Sequence, residues 1–286
     1  VANVLLAFQN RTDEGTLSGG SWLASLPLVN LQNRLVQRVA RSTNAANAST
    51  KFDLNLGAAK NVGVLALVVH NMSVSAKVRI TGDDDAAFTA PVYQSAWIDV
   101  WPSGMIPQSL LEWEDDNFWL GTLSAQARAG YQSPFIHVLP SANTLQYWRV
   151  EIDDTSNSDG YVHIGRLFIS PTWRPAINYS LGADLVYRDT TPVETSLSGA
   201  EFFDQRSKVR EFSFTLEGMT ATEAYDYALQ LQRQVGISGE ILQVPDTDDT
   251  ARIPARAYVG RLVSLSPIGN PQGERFRTQF TVRELV

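Results

Sequence analysis

Between residues 147 and 169 apolar and polar side chains alternate in two runs, and a period of two is hard to satisfy with anything but β-structure. Val150 and Ile152 interleave with Arg149, Glu151 and Asp153, and a second run carries Val162, Ile164 and Phe168 on its apolar positions. Each run therefore offers one face to a core, as a half-buried strand does. The polar stretch 153–160 between them has the composition of a turn, so the two runs are expected to form a hairpin. Pro171 and Pro175 follow at once. Proline has no amide to give to a central ladder, so the sheet is expected to stop there and the chain to divide into domains 1–172 and 173–286.

The same grammar runs through the first domain. Residues 4–8 read as a first strand, Trp22 and Leu23 as a short one, and 28–31 as a connection. Residues 52–56, 77–80, 96–101 and 135–139 alternate, while 62–69 are apolar enough for a strand buried on both faces. Many short strands parted by polar turns predict a mainly β fold opening with a β-sandwich. Beyond Pro175, strands are expected over 183–187, 210–216, 240–244, 256–265 and 276–285. One helix interrupts them. Thr220 and Glu223 have capping-box spacing, Ala224, Ala228, Leu231 and Val235 share one helical face, and Gly236 stands where a left-handed residue ends a helix. That order predicts an α+β domain with one helix packed on a β-sandwich.

Composition narrows the chemistry. The 286 residues include no cysteine, which removes disulfides, thiolate metal sites and cysteine nucleophiles together. With 23 Lys and Arg against 30 Asp and Glu, the net charge of −7 opposes nonspecific binding to nucleic acid or anionic membranes. The longest apolar run is far short of a membrane span, and no basic region followed by a hydrophobic block opens the chain, so neither membrane insertion nor a leader is expected. The opening Val1 fits removal of an initiator methionine.

Few residues suggest catalysis. The loop 111–121 gathers Glu112, Glu114, Asp115 and Asp116 with Trp113, Phe118 and Trp119. A glycosidase needs two carboxylates, and sugars stack on indoles, but a carboxylate-rich turn sending its aromatic side chains inward is the plainer expectation. Trp97 and Trp101, four apart, are expected on one core-facing side of a strand. The aspartates 83–85 and 153, 154 and 159 lack calcium-loop spacing. His70, His137 and His163 are scattered and expected to be structural. No nucleotide-binding, hydrolase or zinc motif appears, so no cofactor, metal or catalytic residue is expected. Arg34, Arg38 and Arg41, near helical spacing, are expected on a solvated or inter-subunit face.

Tyr147-Trp148-Arg149-Val150, Asp153-Asp154, Asn157, Asp159-Gly160-Tyr161 and Ile164-Gly165-Arg166-Leu167 resemble the closing strands of discoidin-like jelly-roll domains in tail proteins of long-tailed bacteriophages. Arg210-Glu211-Phe212-Ser213-Phe214, the Thr220 helix, Gly260-Arg261-Leu262 and the final Phe280-Thr281-Val282-Arg283-Glu284-Leu285 resemble the tail-tube-like domain of tube and distal-tail proteins. The order differs from the common distal-tail plan, since the sandwich comes first. The resemblance implies a structural, non-enzymatic virion protein of the tail tip or baseplate, assembled in the bacterial cytoplasm. It implies a ring, expected to be hexameric, that continues the tube and meets tube, hub, tape-measure and fibre proteins. Ring contacts are expected at Arg206, Arg210, Asp246, Asp248, Asp249 and Arg252. Contacts to a partner or host-surface glycan are expected at Trp113, Asp115, Asp116 and Trp119. The alternative is a carbohydrate-binding receptor-recognition protein.

Overall fold

The computed structural model describes residues 2–115, 117–119, 121–124 and 133–285, so Asp116 lies outside the described residues. Strands dominate, and the chain separates into two compact units. The first unit comprises 9–172 with 244–258, and the second 2–8, 173–243 and 259–286. The single cut expected near residue 172 is therefore joined by two exchanged segments. Strand β1 (Leu5–Ala7) belongs to the second unit, and its Leu6 exchanges both backbone hydrogen bonds with Trp173 (2.9 and 2.8 Å).

The first unit is built from β2 (Thr16–Ser18), β3 (Ala40–Arg41), β4 (Phe52–His70), β5 (Lys77–Asp83), β6 (Tyr93–Gln94), β7 (Ile98–Asp99), β8 (Phe135–Asp153) and β9 (His163–Ser170). They hydrogen-bond in the order β3-β9-β4-β8-β5-β6, with β2 added to β4 and β7 to β5. The segments 52–56 and 62–69 are halves of one long strand, β4. Between them the register with β8 shifts at a loop-out where Gly57 takes φ +75° and its amide donates to Asn55 Oδ1 (2.8 Å), so the strand turns from one layer into the other. Phe52, Leu54, Trp148, Val150 and Ile152 from one half then meet Leu65, Leu67, Ile164, Leu167 and Ile169 from the other in one core.

The expected 147–169 hairpin does not form, because β4 lies between β8 and β9. Asp154 accepts from the Ser73 amide (3.0 Å) and from Asn157 Nδ2 (2.7 Å), and Asn157 Nδ2 also reaches the Asn71 carbonyl (3.0 Å). These bonds tie the 154–160 loop to the segment that follows β4. The chain is thereby carried across the end of β4 instead of folding straight back.

The second unit contains β10 (Asp184–Arg188), β11 (Val193–Thr195), β12 (Glu201–Phe203), β13 (Val209–Met219), β14 (Ile241–Val244), β15 (Tyr258–Leu262), β16 (Gly269–Gln272) and β17 (Arg275–Glu284). Its sheet runs β1-β14-β15-β17-β13-β10, β16 adds to β17, and β11 pairs only with β12. The expected helix is present. Thr220 Oγ1 accepts from the Glu223 amide (3.3 Å) while Glu223 Oε2 accepts from the Thr220 amide (3.0 Å), the two reciprocal bonds of a capping box. The helix opens as a π-helical turn over Glu223–Ala228, continues as α-helix over Leu229–Val235, buries Ala224, Ala228, Leu231 and Val235, and ends at Gly236 with φ +54°. No described helix is long and apolar enough to cross a membrane.

Candidate functional site

Residues 9 and 170 meet at one end of the sandwich, where the Gln9 amide donates to Ser170 Oγ (3.2 Å). Ser170 pairs with Val64, and Ile164 with His70. Six residues of extended strand, roughly 20 Å, therefore separate that end from the other end of β4, which carries His70 and lies beside Asn71 and Tyr161. The long 102–134 connection starts and returns towards the His70 end of β4, and at its return Ser133 Oγ donates to the Pro254 carbonyl (3.5 Å). It departs at Trp101, whose indole Nε1 donates to the Met72 carbonyl (3.0 Å), and returns at Phe135 opposite Leu67.

Within this connection the Ile106 amide donates to the Gly121 carbonyl (2.8 Å), closing a loop. Glu112 and Asp115 lock its tip, the Glu112 amide donating to Asp115 Oδ2 (3.0 Å) and the Asp115 amide to the Glu112 carbonyl (3.0 Å). Asn117 is buried and donates to the Thr122 carbonyl. This packing turns both indoles outward, with Trp113 69% and Trp119 73% exposed. The expected inward course of the aromatic side chains holds only for Phe118, which is half-buried and meets Trp119 edge-on at 5.3 Å. Glu112, Glu114 and Asp115 are exposed. Trp97 and Trp101 do not share a strand face: Trp101 is buried, while Trp97 is half-exposed beneath the Arg79 guanidinium (4.7 Å).

A second group lies beside His70 and Asn71, and its members were named in the sequence but not brought together by it. Arg41 lies in β3 opposite His163 of β9, not on a helical face with Arg34 and Arg38. Its guanidinium sits 3.3 Å above the Tyr161 ring, and Tyr161 in turn lies 6.2 Å from the His163 imidazole. Asn71 organises the surroundings, donating to Asp159 Oδ2 (2.8 Å) and accepting from the His163 amide (2.8 Å). Gly165 lets β9 pass close against the Val36 backbone, since a Cβ there would fall 2.1 Å from the Val36 carbonyl oxygen.

All three histidines are held neutral. Burial, with a smaller contribution from His163, pushes His70 down to about 3; burial alone pushes His137 down to about 4, where Tyr93 Oη sits 2.6 Å from its Nε2. Burial first, and then the Arg41 charge, lowers His163 against an opposing pull from Asp159. In the unfolded chain each titrates near 6.5. As pH falls below that value the unfolded state binds protons that the folded state refuses, so stability is complete above pH 6.5 and declines towards pH 4. Each fully linked histidine contributes a slope of about 1.4 kcal/mol per pH unit. Urea midpoints measured at pH 7 and pH 5 should fall accordingly, and His70→Asn should flatten the decline.

The expected ring contacts are dispersed. Arg206 is exposed and pairs with Asp204 (3.2 Å) in the second unit, whereas Asp246, Asp248, Asp249 and Arg252 belong to the first, where Asp249 holds Arg252 (2.9 Å). Arg210 is buried within its unit. It is 2% exposed, and its Nε donates to Glu284 Oε2 (2.9 Å) within the chain. A different surface is open instead: β10 is a sheet edge, and Leu185, Val186, Tyr187, Val193, Phe202 and Phe203 are exposed along the arm it begins.

No protein family and no curated protein matches this chain by sequence. Among solved structures it is similar to the lectin domain of lectinolysin complexed with Lewis B antigen, at 14% identity and a TM-score of 0.38, covering 57% of this chain and 96% of that one. It is also similar to CBM32-1 from a family 31 glycoside hydrolase of Clostridium perfringens, at 9% identity, TM-score 0.38 and coverage of 57% and 98%. The family 32 CBM of C. perfringens NanJ in complex with galactose gives 12% identity, TM-score 0.38 and coverage of 59% and 99%.

Proposed function

We propose that the chain is a non-catalytic attachment protein whose β-sandwich recognises host-surface carbohydrate through the loop that carries Trp113 and Trp119. The observation behind this is the outward display of both indoles, 69% and 73% exposed, on a loop locked by its own hydrogen bonds. A soluble chain gains by hiding such large apolar rings, so a fixed loop that presents two of them is a surface awaiting a partner. Sugar C–H faces stack on indoles, and the exposed carboxylates of Glu112, Glu114 and Asp115 accept hydrogen bonds from hydroxyls. Glycan-array capture by the full chain tests this. The Trp113→Ala/Trp119→Ala double variant should lose about tenfold or more in affinity, at roughly 0.5–1.5 kcal/mol per stacked ring. Equal capture by that variant, or no capture by the unaltered chain, would overturn it.

A second reading is favoured by the apolar arm that begins at β10. A sheet edge bearing exposed Leu185, Val186 and Tyr187 is the kind of surface that sister copies cover. It supports the structural role implied by the phage-tail resemblance: a tail-tip or baseplate ring in the virion, meeting other tail proteins through the second unit. Sedimentation without sugar separates the two, since a ring-former runs as a closed oligomer and a free lectin as single chains.

A further inference from the structure

We infer that the notch formed by Arg41, Tyr161 and His163 binds the carboxylate of an acidic sugar, a uronic acid or similar, with Arg41 as its direct partner. This rests on reading the sandwich as a carbohydrate-recognising domain, but it concerns a different group of residues from the tryptophan loop.

Arg41 is set apart by what it lacks. In the same unit Arg79 holds Glu151 (2.7 Å), Arg149 holds Asp53 (2.7 Å) and Arg166 holds Asp13 (2.7 Å). Arg41 is half-buried, its side chain makes no hydrogen bond or ion pair among the described residues, and its Nε is buried without an acceptor. A partly desolvated guanidinium without a counter-ion is unfavourable, and an incoming anion relieves it. The tyrosine ring beneath fixes the plane of the guanidinium by a cation–π contact. Since Nε is closed to solvent, the two terminal nitrogens are the donors that an incoming carboxylate can reach.

The surroundings select among anions and among ligand bodies. A single guanidinium fork matches the two coplanar oxygens of a carboxylate. Asp159 stands close enough to act on His163 yet makes no ion pair with Arg41, and its charge works against a phosphate dianion. The same carboxylate accepts hydroxyl hydrogens, and the His163 imidazole and the Tyr161 hydroxyl add further partners for a polyol. Since the chain carries a net charge of −7, its overall field does not draw anions in. The selectivity has to come from this one arginine.

Titration calorimetry of the full chain with galacturonate against galactose, and glucuronate against glucose, tests the assignment. The unaltered chain should prefer each acid about tenfold, the strength of one charge-assisted pairing. Arg41→Gln should abolish that preference with an unchanged melting temperature, and Arg41→Lys should keep part of it. Equal affinity for acid and neutral sugar, or a preference that survives Arg41→Gln, overturns the inference. So does Arg41-dependent binding of an acidic peptide by a chain that binds neither uronate. A chain that captures neutral glycan through Trp113 and Trp119 without any acid preference overturns this inference alone. An acid preference that depends on Arg41 and ignores both tryptophans overturns the loop assignment alone.

Discussion

Deletion of residues 2–8 is expected to unfold the second unit outright while leaving the β-sandwich folded. Val4, Leu5, Leu6 and Ala7 are all fully buried, and β1 lies between β14 and the Trp173 backbone. Burying the three larger side chains contributes roughly 1.5–3 kcal/mol each. Their loss, together with the stripped edge of β14, approaches the roughly 5–15 kcal/mol that holds a whole domain together. Asn3 would also stop bridging the carbonyls of Pro175 (2.8 Å) and Ala176 (3.0 Å), and Asn178 would lose the Val4 amide (3.0 Å). Limited proteolysis should then cut freely within 173–243 and spare the sandwich. A fragment starting at Trp173 should fail in the same way. Protection of 209–219 in the deleted protein would refute this account.

The second large effect is expected at Glu284. Its carboxylate accepts from the Arg210 amide (3.0 Å) and Nε (2.9 Å) and from a second guanidinium nitrogen; the two side chains are 8% and 2% exposed. Glu284→Ala takes this carboxylate away from a buried arginine, and breaking a buried pair in this way destabilises by about 3–5 kcal/mol. Replacing the pair together, Arg210→Met with Glu284→Leu, should recover most of the loss, because neither buried charge then remains. Neighbouring Glu211 is bonded to Arg188 (2.9 Å) and Arg283 (2.9 Å) and should keep its own pairings in both variants. Chemical unfolding of the three proteins gives the comparison. A single variant as stable as the parent would show that the pair is not what holds this corner.

What the sequence made legible was local. Alternation located β13 and β17, and the Thr220–Glu223 spacing located the helix start, because backbone periodicity and capping are decided by residues a few places apart. Strand partners were not legible in the same way. Turn-like chemistry at 153–160 suggested a hairpin, yet the bonds that decide the path come from Asn71 and Ser73, remote in sequence. Arg210 looked like any polar member of an alternating strand, and only Glu284 on β17 reveals it as internal. For the candidate sites the split is the same. Trp113 and Trp119 were visible as a cluster, but the outward turn of both indoles follows from the locked loop tip and the burial of Asn117. Arg41 was grouped by spacing with Arg34 and Arg38, whereas its neighbours Tyr161 and His163 arrive beside it from far along the chain.

The exchange of segments between the two units also sets a timetable for synthesis. Residues 2–8 emerge from the ribosome long before the strand they dock against, Ile241–Val244, and 244–258 likewise reaches the sandwich only after 9–172 and 173–243 have been made. Neither unit can therefore finish folding until those later segments have been made. During that interval an apolar strand waits without a neighbour, a period of exposure in which nascent copies can pair wrongly with one another or be held by a chaperone.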